Sequence, residues 1–175
     1  MPTRRLLLVA LAACTAAFAQ GPKYGVGRPA AAADIRAVDI SIAPDGAGLP
    51  PGSGDAAAGA ALYERQCREC HGVAGKGSEQ AGFVGKPQDL LLPKPSKTVG
   101  SYWPYATTLF DYIRRAMPFK TPGSLSDEQV YAVTAYILHL NGLLGEDEKL
   151  DAERLKKVEM PNRDGFVPDP RPDIE

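Results

Sequence analysis

Cys67-Arg68-Glu69-Cys70-His71 is the stretch on which the reading of this chain turns. Its two thiols stand three positions apart, about one helical turn, and a histidine follows immediately. C-x-x-C-H is the pattern for covalent attachment of haem c: each thiol can add to a vinyl group, while the next residue brings an imidazole beneath the iron. Anchor and proximal ligand then come from five residues. The competing readings are a redox dithiol and half of a zinc site. Zinc would need further thiols or paired histidines, and the only other histidine is His139. A thioredoxin-like dithiol would need a βαβ setting, which the flanking sequence does not offer.

Working outward from the motif, Asp55 is placed as the N-cap of a helix over 56–66 that carries Ala60, Leu62 and Tyr63 and runs straight into Cys67. Upstream, residues 21–54 are rich in Gly, Pro and Ala, with a short apolar alternation at Ile35, Val38, Ile40 and Ile42. They read as an extended arm closed by Leu49-Pro50-Pro51-Gly52-Ser53-Gly54. Downstream, residues 72–100 read as a long irregular loop, unusual in a compact domain unless it wraps something. A second helix starts near Pro104, carries Leu109, Tyr112, Ile113 and Ala116, and ends at Pro118. The residue before a proline is pushed out of the helical region, so Met117 is expected in an extended conformation at the helix exit. In the third helix Ser126 and Gln129 form a capping box and Leu125 and Val130 a hydrophobic staple. Val130, Val133, Ile137 and Leu140 give it a buried stripe, and Asn141-Gly142 stops it.

The sixth ligand of such an iron must come from Met117, Met160 or His139 within the exported chain. Met117 is favoured, because a thioether on a loop after a proline-terminated helix can be held against the open face of the metal. Met160 lies beyond the last well-signalled helix, and His139 sits inside a helix between Leu138 and Leu140. Arg114 and Arg115 adjoin Met117, and Arg114 is the candidate to pair with a haem propionate.

Residues 1–19 have the layout of an export signal: Arg4 and Arg5, an apolar run from Leu6 to Ala13, and small residues at Ala17 and Ala19. Cleavage after Ala19 places the protein in the periplasm. A lipoprotein signal ending at Cys14 is the alternative, and the only route by which a membrane enters the reading. The expected organisation is therefore a signal at 1–19, an arm at 20–54, a haem domain at 55–145 and a charged, Pro-rich extension at 146–175. The class is mostly α: three main helices with long loops around one covalently bound haem, plus extended N- and C-terminal segments. Formal net charge is −1, which argues against nucleic acid as a partner. Charge is unevenly spread, with nine bases against five acids from Glu64 to Leu125 and ten acids against six bases from residue 146 onward. That asymmetry is a candidate for steering a docking encounter.

Gly59, Tyr63 and Cys67, at four-residue spacing, resemble the first helix of the class I cytochromes c, where a small residue lets the last helix cross closely. Tyr131 or Tyr136 on the third helix would be the counterpart. The resemblance implies a crevice closed by loops, with His71 below the haem and a loop methionine above it. It also implies a proline carbonyl accepting from the histidine's other ring nitrogen, for which Pro87 is the candidate. Ser101-Tyr102-Trp103-Pro104-Tyr105-Ala106-Thr107, Asp111 to Phe119, and Met160-Pro161-Asn162-Arg163-Asp164-Gly165-Phe166 resemble the monohaem cytochrome partners of sulfite dehydrogenases. They also resemble the haem domain of the sulfane dehydrogenase cytochrome subunit.

What this resemblance implies is an electron carrier rather than an enzyme. It would accept electrons singly from a periplasmic molybdenum dehydrogenase that oxidises sulfite or sulfane sulfur, and hand them to a downstream cytochrome or oxidase. A permanently bound haem subunit of that dehydrogenase, and a peroxidase-like haem enzyme using His139 as acid/base, are the alternatives.

Overall fold

The structure is a computed structural model that describes residues 24–78 and 82–171. The signal expected at 1–19, Cys14 included, lies outside the described residues. The chain divides into two units, Met1–Asp39 and Ile40–Glu175.

In the first unit, the arm expected to be extended contains a short helix, α1, Ala32–Val38, with none of its residues buried. The run Ala30 to Ala33 favours the helix intrinsically, and the Asp34 carboxylate accepts from the Ala31 N–H at 3.3 Å to close its first turn.

The second unit is built on the helices read from the sequence. Helix α2, Ala56–Gln66, opens with the Asp55 carboxylate accepting from the Ala58 N–H at 2.8 Å, and buries Ala56, Gly59, Leu62 and Tyr63. At Cys67 the backbone leaves helical geometry, and a single further turn, α3, Arg68–His71, follows. Helix α4, Ala106–Ala116, starts two residues after Pro104. It ends at Met117, whose extended backbone (φ −122°, ψ 150°) is the conformation that Pro118 imposes. Helix α5, Asp127–Leu140, has both halves of its capping box: Gln129 N–H donates to Ser126 Oγ at 3.3 Å, and Ser126 N–H to Gln129 Oε1 at 2.9 Å.

Helix α5 is the centre of the unit. Of the expected stripe, Val130, Val133 and Ile137 are buried and Leu140 is only half-buried, while Tyr131, Ala132, Thr134, Ala135 and Leu138 are buried as well, so the helix is covered on most of its circumference. Helix α2 packs on it most extensively. The crossing is close because Gly59 has no side chain: a Cβ there would meet the Ala132 carbonyl and come within 2.8 Å of Tyr136 Cβ. The rings of Tyr63 and Tyr136 close the same crossing at 5.3 Å between centroids.

Two parts of the sequence expected to lie apart from this frame belong to it. Ser53–Gly54 (β1) pairs antiparallel with Leu150–Asp151 (β2), Ser53 opposite Asp151 and Gly54 opposite Leu150. The short helix Ala152–Lys156, α6, follows β2, and Leu150, Leu155, Val158 and Met160 are all buried in the same core as α2, α4 and α5. The first half of the region expected to be an extension is thus core. From the other side, Ile42 is buried and donates its N–H to Asp111 Oδ1 at 2.9 Å, Thr107 Oγ1 donates to the Pro44 carbonyl at 3.1 Å, and Tyr131 Oη to the Pro50 carbonyl at 2.8 Å. Among the described residues no helix is long and apolar enough to cross a membrane.

Candidate functional site

The residues after His71 are held by one buried phenol. Tyr63 Oη donates to the Gly72 carbonyl at 2.8 Å and accepts from the Gly75 N–H at 3.1 Å, so the first helix fixes the chain on leaving the motif. Burial pushes the Tyr63 hydroxyl up to about 12, which keeps it a neutral donor. The loop then returns: Phe83 N–H donates to the Gly75 carbonyl at 2.7 Å and Gly100 N–H to the Phe83 carbonyl at 3.3 Å. Asn141, just past α5, takes the Gly85 N–H on its Oδ1 at 3.2 Å and donates from Nδ2 to Ile137 O at 2.8 Å.

What this loop wraps is a cavity of about 520 Å³, within the size range of small-molecule and cofactor sites. Cys70, His71 and Met117 lie in its wall, together with Phe83, Val99, Trp103, Leu109, Ile113 and Ile137. The Phe83 ring lies against the His71 imidazole at 4.3 Å between centroids. Cys67 is half-buried and packs against the adjoining core, and no disulfide joins it to Cys70. An imidazole nitrogen, a thioether and the paired thiols beside an apolar slot are the donor set that a covalently held haem requires. The residues present fit that group. The dithiol reading lacks its βαβ setting, since the strands among the described residues are the two-residue β1 and β2, paired antiparallel, and burial, and next to it the neighbouring Cys70, push the Cys67 thiol up to about 11 rather than down. Among the described residues no group of three or more His, Cys, Asp or Glu is arranged to hold a metal ion, so zinc lacks ligands.

Of the three candidate sixth ligands, only Met117 lines the cavity. Met160 is buried in the core beside α6, and His139 Nδ1 lies 3.2 Å from the Leu144 carbonyl. Pro87 opens the 3-10 turn Pro87–Leu91, where Lys86 N–H donates to Asp89 Oδ2 at 2.7 Å, and it is not among the lining residues. Arg114, expected on a haem propionate, is committed elsewhere. Its Nε donates to Asp127 Oδ1 at 2.9 Å and its Nη1 to the Ile40 carbonyl at 3.2 Å. Arg115 likewise pairs with Asp111. Adjacency to Met117 suggested Arg114, but the last turn of α4 directs the side chain to the first turn of α5. Phe83, Val99 and Lys97 were missed, because loop residues far from the motif carry no periodic signal of a shared wall.

The family profile described as cytochrome C oxidase, cbb3-type, subunit III matches residues 54–137. The chain is 36% identical over 89 residues to a thiosulfate dehydrogenase of Stutzerimonas stutzeri, and 32% identical over 84 residues to one of Allochromatium vinosum. These matches cover 50% and 48% of this chain but 28% and 31% of those proteins, so the chain matches under a third of their length. Among solved structures it is similar to a chain of the sulfane dehydrogenase SoxCD from Paracoccus pantotrophus. That likeness has 44% identity and a TM-score of 0.77, and covers 87% of this chain and 76% of the other.

Proposed function

Because the chain belongs to the class I c-type cytochromes, we propose that it is a periplasmic carrier of single electrons, holding one haem c with His/Met ligation. The observation that carries this reading is the presence of His71, Cys70 and Met117 in the wall of one apolar cavity. Bound haem supplies a metal centre that takes up and releases one electron. Cys67 and Cys70 would anchor it, each S–H adding across a vinyl C=C with no atom lost. His71 and Met117 would ligate the iron. Leu109, Ile113, Ile137 and Val99 line the cavity and would keep water from that centre, and the helix frame would hold both ligands in either charge state, which limits reorganisation.

The donor in this proposal is a molybdenum dehydrogenase that oxidises sulfite or sulfane sulfur, and the acceptor a downstream cytochrome or oxidase. The likeness to a sulfane dehydrogenase chain and to thiosulfate dehydrogenases supports a place in sulfur oxidation. A fixed haem subunit draws on the same likeness, and co-elution with the dehydrogenase on size exclusion separates it from transient docking. The peroxidase-like alternative loses its residue, since His139 is outside the cavity lining.

The test uses the protein matured with haem in a periplasm, oxidised, and mixed anaerobically with a molybdenum sulfite dehydrogenase. The expected result is a low-spin haem that resists carbon monoxide and is reduced promptly only when enzyme and sulfite are both present. Ready carbon monoxide binding, with no reduction by sulfite-, sulfane- or thiosulfate-oxidising enzymes, overturns the carrier reading.

A further inference from the structure

Lys97 is the one Lys, Arg, Asp or Glu in the cavity wall among the described residues. It is also solvent-exposed, so it stands where the cavity opens to water. Both ends of the residue are placed. Its neighbour Thr98 is buried, with N–H and Oγ1 both donating to Ser101 Oγ at 2.9 and 3.0 Å. Its ammonium lies 5.0 Å from the centre of the Tyr102 ring, a cation–π distance.

Tyr102 is in turn held by the C-terminal region. Its carbonyl accepts from Asn162 Nδ2 at 2.7 Å, and its ring meets Phe166 edge-on at 5.2 Å. Among the described residues Lys97 makes no ion pair, whereas Arg114 and Arg115 both have carboxylate partners. A haem brings carboxylate side arms whose charge needs a cationic partner wherever water is partly excluded.

We propose that Lys97, oriented by Tyr102, is the residue that pairs with a haem propionate, the role the sequence suggested for Arg114. This rests on the haem reading above. The segment from Asn162 to Phe166 then acts as a brace on a cofactor contact, through Tyr102.

The experiment uses the holoprotein matured in a periplasm, as wild type, Lys97→Gln, Lys97→Arg and the charge-matched control Lys94→Gln. Lys94 is exposed and is not in the cavity wall. Two quantities are read: the resonance Raman propionate bending band, which responds to contacts at the carboxylate, and the reduction potential at fixed pH and ionic strength. In K97Q the band is expected to move and the potential to fall, because a cation near the iron favours the less positive ferrous state. K97R is expected to keep both near wild type, and K94Q to leave the band in place and the potential nearly so.

An unmoved band in K97Q overturns the proposal, as does an equal fall in potential in K94Q and K97Q. Should K97Q fail to mature, Lys97→Met keeps the stem without the charge and is judged by the same two readings. Wild type without covalent haem overturns the haem reading itself, whereas a haem-loaded wild type beside an unchanged K97Q overturns this inference alone.

Discussion

Met117 shows how one residue's backbone can be set by its neighbour. Pro118 forces it out of helix α4, and the side chain enters the cavity wall instead of continuing the helical surface. Met117→Ala is expected to remove the sulfur-ligation signature of the ferric spectrum, open the iron to carbon monoxide and lower the potential, as ligand-exchange titration would show. Tyr63 works differently, through a hydroxyl that satisfies two backbone groups at once. Tyr63→Phe leaves both without that partner, and a loss of about 1–3 kcal/mol in urea unfolding is expected.

Burial raises both Tyr63 and Tyr131 from the ordinary 10 to about 12. Each folded value lies above its unfolded one, so the protons must stay on for the fold to hold. Their contribution to stability is therefore fully present below about pH 10 and is lost between about 10 and 12, by up to about 1.4 kcal/mol per pH unit for each tyrosine. The measurement is urea unfolding as a function of pH, and Y63F should flatten about half of that slope.

At the scale of elements, the α2–α5 crossing depends on the absence of one carbon. Gly59→Ala places a methyl against the Ala132 carbonyl, and the helices must separate. The expected cost is about 1–3 kcal/mol, read as a lower urea midpoint. Ser126→Ala should cost about 1 kcal/mol by removing the cap of α5. The caps of α2 and α5 and the helix exit at Met117 were legible, because each depends on residues close in sequence, whereas the crossing at Gly59 was implied by the resemblance of Gly59, Tyr63 and Cys67 to a cytochrome c first helix. That α5 is covered on most of its circumference was not legible. Its sequence shows which residues are apolar, not that β1 and β2 pack alongside it.

At the scale of the molecule, the region from Leu150 to Met160 is core rather than appendage. Leu155→Ala is expected to cost about 2–5 kcal/mol with an unchanged denaturant slope, as for other buried leucines, and ending the chain at Gly145 should abolish cooperative unfolding. The sequence by itself determined the C-x-x-C-H motif, the three main helices and the methionine poised at a helix exit. Attachment spacing, capping and proline restriction all act within a few residues of the chain. Only the tertiary structure decided that residues 42–54 and 150–160 close the core, that Arg114 serves Asp127, and that Lys97 stands at the cavity with Tyr102 beside it. Those outcomes depend on which distant surfaces bury one another and which charges then find partners, and neither has a local signature in the order of the residues.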